Sequence, residues 1–167
     1  MSQATPTDEV ALLRGTLDNQ RLHVLGILEG LGEEDLRRPV LPSGWSCAGL
    51  VQHLVLDVEH WWFWRVVAGR PPDRGEDIED AWQLEGDITA AAVLDLYRTE
   101  TERSNAIVAE TPLEAAPAWW PEELFGTWRL HSLRQVLLHV IAETACHAGH
   151  LDAARELIDG RTWLVLG

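Results

Sequence analysis

The sequence predicts an all-α protein, a four-helix bundle with long loops between its helices, forming a single domain over residues 1–167. Three observations carry this. Four stretches of roughly 20 residues or more repeat apolar side chains at helical spacing. Each is bounded by a capping residue before it or by glycine or proline after it. No segment alternates polar and apolar residues with the period of two that marks a half-buried strand.

The first helix is expected to begin at Thr5-Pro6-Thr7-Asp8, which reads as a capping box with proline at the first helical position, and to run to about Leu31 before Gly32. Leu13, Leu17, Val24, Leu28 and Leu31 keep its apolar spacing. The loop RRPVLPSGW follows, where two prolines and a glycine forbid continuation. Ser46 then caps a second helix, CAGLVQHLVLDVEHWWFWRVVAG, hydrophobic nearly all round and ending near Gly69. After an acidic, turn-rich stretch, Thr89 caps a third helix over about 90–110 that stops before Pro112. The loop from Pro112 to His131 is long and carries Trp119-Trp120-Pro121. Ser132 with Gln135 caps the fourth helix, which reaches Gly160 as its C-terminal stop.

Composition narrows the function classes. A hydrophobic fraction of 46% with 24% charged residues is that of a globular protein, and no stretch has the length of an apolar membrane span. The start, MSQATPTDEV, lacks the basic and apolar regions of a secretory signal, so the cytoplasm is the expected compartment. Cys47 and Cys146 lie far apart without metal-binding spacing and read as thiols of a reducing environment; Cys47 is expected to pack and Cys146 to point away from the helix face that matters. The net charge is −14 and the 13 basic residues form no cluster, which argues against a nucleic-acid partner.

The chemistry-bearing residues concentrate in HVIAETACHAGH, residues 139–150, three histidines and one carboxylate on a helix that otherwise reads as core. At about 100° per residue, Val136, Val140, Leu151, Ala154 and Ile158 share one side, with Glu143 and His147 along its edge. His139 and His150 lie farther round, at the rim. Glu143 and His147 stand one turn apart, on the order of 6 Å between Cβ atoms, close enough to converge on one ion. On the second helix His53 is isolated among Leu50, Leu54 and Val58. Together His53, Glu143 and His147 would give two imidazoles and one carboxylate with open coordination positions. Spacing alone leaves a second reading equally open, in which the same three residues form a satisfied core network in a non-catalytic regulatory or interaction protein.

The stretches LPSGWSCAGLVQHLVLDVEHWWF, residues 41–63, and LRQVLLHVIAETACHAGHLDAARELIDG, residues 133–160, resemble the DinB-like superfamily of four-helix metal-binding proteins. Within it they are similar to the branch containing mycothiol-dependent maleylpyruvate isomerase. The resemblance implies one divalent ion, zinc foremost and nickel next, held at the positions of His53, Glu143 and His147. It also implies a low-molecular-weight thiol such as mycothiol as cofactor, a small electrophile as substrate, and S-transferase or isomerase chemistry. Bundles of that superfamily often pair, which implies a homodimer. The isomerase carries a second, C-terminal domain, whereas only RTWLVLG follows the fourth helix here, so the transferase reading is preferred.

Asp57 is expected to orient His53, with His60 either serving the same end or lying on a solvated edge. His139 and His150 are candidate acid/base groups at the mouth. Nine tryptophans against two phenylalanines make Trp61, Trp119 and Trp120 candidates to line a cofactor pocket, alongside the core-packing role that tryptophans more often have.

Overall fold

In the computed structural model, which describes residues 6–71 and 80–163, the chain is all-helical, with no strand among the described residues. Four long segments form the bundle: α1 (Pro6–Leu28), α3 (Cys47–His53) continued by a π-helical segment (Leu54–Val67), α4 (Ala90–Glu110) and α6 (Leu133–Asp159). Two short helices, α2 (Glu33–Arg37) and α5 (Glu122–Phe125), lie in the connections. Helix α1 packs on α6, α6 on the π-helical segment, that segment on α4, and α4 back on α1, which closes the bundle. Leu17, Val24, Phe63, Tyr97, Val140 and Leu151, drawn from all four walls, are buried at its centre.

The capping signals act as the sequence predicts. The hydroxyls of Ser46, Thr89 and Ser132 accept hydrogen bonds from the backbone N–H groups of Gly49, Ala92 and Gln135, satisfying donors that have no partner inside their helices. The carboxamide of Gln135 reaches back to accept from the His131 N–H at 2.6 Å, one residue before the cap. Gly160, at φ 79°, ends α6 in the left-handed region. Pro6 stands at the first position of α1; Thr5, the expected cap, lies outside the described residues, as do 72–79 of the acidic stretch and 164–167.

Two expectations are corrected. Helix α1 ends at Leu28 rather than near Leu31, and the chain turns at Gly30, at φ 84°, to form α2, whose Leu36 is buried. The second long helix is not α-helical throughout. From Leu54 its turns widen, and its end keeps wide bonds, Ala68 N–H to the Phe63 carbonyl and Arg70 N–H to that of Trp64. π-helical turns are rare and concentrate at functional sites; here they begin directly after His53.

Candidate metal centre

His53 is placed at the junction between α3 and its π-helical continuation, partly buried, with a side chain 15% exposed. Its Nδ1 lies 2.8 Å from Asp57 Oδ2, one turn on. A carboxylate only accepts, so Nδ1 carries the proton of that bond and Nε2 is the nitrogen turned away from Asp57. The other fixing element is one that sequence reasoning missed. Trp82 stacks on the His53 ring with centroids 4.1 Å apart and planes 18° from parallel. The Trp82 strand of chain is held by Gln52, whose carboxamide donates to the carbonyls of Ala81 at 3.0 Å and Gln83 at 2.9 Å. It also passes so close to Gly49 that a Cβ there would stand 1.9 Å from the Trp82 carbonyl oxygen. The signal for Trp82 lay in a turn-rich stretch with no periodicity, and only the pairing of Gly49 with Gln52 on the facing helix could have suggested a close-passing segment.

From α6, His147 comes edge-on to His53, ring centroids 5.0 Å apart and planes at 76°. Burial, then the neighbouring His53, pushes His147 down to about 4, outweighing the opposite pull of Glu143, so the imidazole is neutral at pH 7. Its Nε2 lies 3.7 Å from Glu143 Oε2, and its Nδ1 lies 3.4 Å from His150 Nδ1. With His147 neutral, the Glu143 contact is a dipole-to-charge contact rather than an ion pair. Trp82 also meets His147 edge-on at 5.6 Å, and Trp45 borders His150 at 6.2 Å.

Among the described residues no group of three or more His, Cys, Asp or Glu side chains is arranged so that it could hold an ion. The two imidazoles are in place, while Glu143, its side chain 43% exposed, stands back. The donor chemistry nonetheless fits a divalent cation. Two imidazoles sharing a tetrahedral ion at about 2.1 Å per Zn–N bond have ring centres roughly 5 Å apart, by simple construction, which is the spacing of the His53 and His147 rings.

The remaining sequence candidates are distributed differently. His139, one turn before Glu143, packs its half-buried ring on Trp62 at 4.7 Å and Trp128 at 5.6 Å; burial lowers its pKa. Trp61 and Trp119 meet edge-to-face at 5.8 Å, and Trp120 is buried with Trp62, Phe125 and Trp128. Of these three indoles, Trp61 alone lines the cleft of about 260 Å³ that includes Asp57, Trp62, Leu124 and Phe125. His60 is on neither a solvated edge nor the His53 side: it is buried, 3.3 Å from Glu100, because the wider π-helical turns rotate it inward against α4. Cys47 is buried, and burial raises its thiol to about 11, while Cys146 is exposed. A concavity of about 720 Å³ between Val10, Arg14 and Leu113 contains none of these groups.

A family model described as mycothiol-S-transferase matches residues 12–160, which include every residue of this cluster. Comparisons with curated proteins and with solved structures each returned no match.

Proposed function

Because the chain belongs to the mycothiol-S-transferase family within the DinB-like superfamily, we propose that it is a divalent-metal-dependent enzyme that transfers a small thiol, of the mycothiol type, to a small electrophile. His53, Glu143 and His147 would hold the ion, with zinc foremost and nickel next. The observation that carries the reading is the pair of imidazoles from two facing helices, 5.0 Å apart, with a carboxylate one turn from one of them.

When bound, such an ion favours thiolate over thiol at neutral pH. The rest of the chemistry belongs to the chain. Asp57 is a positioning residue: it holds the His53 Nδ1 proton and so keeps Nε2 available. His150, exposed and within 3.4 Å of His147, takes the thiol proton toward solvent. The cleft beside Asp57, walled by Trp61 and Trp62, seats the apolar body of the electrophile. Sulfur donates an electron pair to the electrophilic carbon, an S–C bond forms, and the leaving group departs with its bonding pair. His139, at the aromatic end of the α6 stripe, is placed to return a proton there. In the isomerase variant the same sulfur adds to a double bond, the carbon skeleton rotates, and the sulfur leaves again.

Elemental analysis of untagged protein tests this. About one equivalent of zinc or nickel is expected, lost in His53→Ala and Glu143→Ala while helical circular dichroism persists. Metal fully retained in those variants overturns the ligand assignment. Protein that takes up no metal on reconstitution leaves the cluster as a buried polar network and favours a non-catalytic binding role.

A further inference from the structure

All 13 basic residues of the chain are arginines. Among the described residues, each arginine other than Arg65 and Arg70 bonds a carboxylate or a main-chain carbonyl. Arg65 and Arg70 meet aromatic faces instead. The Arg65 guanidinium lies beside both Trp61, at 5.3 Å, and Trp119, at 5.1 Å, and that of Arg70 lies 4.4 Å from the Trp64 ring. A guanidinium held over an aromatic face keeps its N–H donors free for an acceptor, because the ring takes up none of them as a directed hydrogen bond.

Both arginines line one concavity of about 310 Å³ with Gly69, Pro71 and Trp119. Its walls are fixed by the main chain. Ala118 N–H donates to the Val67 carbonyl and Trp119 N–H to that of Val66, both at 3.2 Å. Gly69, at φ 62°, leaves room for that loop, since a Cβ there would stand 2.8 Å from the Ala118 Cβ. The Trp64 indole N–H pins the Pro71 carbonyl at 2.9 Å. These bonds also occupy carbonyls at the end of the helix, which mutes the negative potential a helix C-terminus would otherwise present to an anion.

We propose that this pocket binds the carboxylate of a small planar organic acid. Arg65 and Arg70 supply a fork of N–H donors that matches a carboxylate, and Trp119 and Pro71 supply flat apolar walls for the attached ring. On a protein of net charge −14, two adjacent arginines without a carboxylate partner among the described residues are not part of a general basic surface. The pocket shares no residue with the His53 and His147 cluster, and its occupancy does not depend on a bound metal.

Titration of benzoate into the full chain, followed by calorimetry and by tryptophan emission, tests the assignment, with inorganic phosphate as the comparison anion. Saturable one-to-one binding of benzoate, tighter than phosphate, is expected. It should weaken by about tenfold or more in Arg65→Gln and separately in Arg70→Gln, as loss of a charged hydrogen bond implies, and stay unchanged in His147→Ala. Arg70 is exposed, so its variant reports on the pocket even if the Arg65 change disturbs packing. No saturable benzoate binding, binding that survives both arginine changes together, loss in His147→Ala, or a preference for phosphate would each overturn the proposal.

Discussion

Two polar clusters are set into the same bundle, and they are compensated in opposite ways. Midway along it, Arg21 binds Glu59 with both arms of its fork, Nε to Oε1 at 2.7 Å and Nη2 to Oε2 at 2.6 Å, and reaches Asp18 and Asn105 at 2.8 Å each. Arg21 is 4% exposed and Glu59 1%. The two charges there are matched to each other, as desolvated charges require. Around His53 and His147 the balance is looser: Asp57 accepts from one imidazole at 2.8 Å, while Glu143 stands 3.7 Å from the other with nearly half its side chain in solvent. The first cluster is neutralised from within, carboxylate against guanidinium. In the proposed reading it is the second that takes a cation, with His53, Glu143 and His147 as its donors.

The contrast can be broken most forcefully in the interior. Arg21→Met leaves Glu59 buried without its partner and should cost about 3–5 kcal/mol in urea unfolding, with most of it recovered by the double change Arg21→Met/Glu59→Leu. A double variant as unstable as the single one would mean the pair does more than neutralise itself. At the His53 end the effect should fall on binding instead of folding. Asp57→Ala removes the acceptor that fixes the His53 tautomer, and chelator competition should show metal affinity lowered by about 10- to 100-fold at unchanged circular dichroism. Unchanged affinity would remove Asp57 from the site.

The smallest effect is in pH. Between 6.5 and about 4 the unfolded chain protonates His147 while the folded protein keeps it neutral, so proton uptake favours unfolding. The stability tied to a neutral His147 is complete above pH 6.5 and is lost as pH falls toward 4. The decline in Tm across that window should therefore be shallower in His147→Gln than in the parent, and parallel curves would show that His147 is not held neutral by its surroundings.

How legible each part was follows from the range of the interaction that makes it. Ser46, Thr89, Ser132 and Gly160 act within three or four residues, and their caps could be read directly. So could the proximity of Asp57 to His53 and of Glu143 to His147, each one turn apart. Arg21 and Glu59 lie on different helices, 38 positions apart, and neither carries a local pattern that names the other. His60 was misplaced because a wheel drawn at the α-helical angle does not apply after Leu54. The aromatic trio was read from abundance, and abundance does not reveal which indole borders Asp57 and which joins the Trp62 and Phe125 cluster.

Gly49 and Gln52 neither donate to an ion nor touch a substrate, yet they hold the Trp82 segment over His53. A single added methyl at position 49 would collide with the Trp82 carbonyl and carry the indole off the imidazole. Tolerance to inherited change is therefore set low at a position with no side chain at all, and a lineage that lost this glycine would have to find another way to steady its histidine.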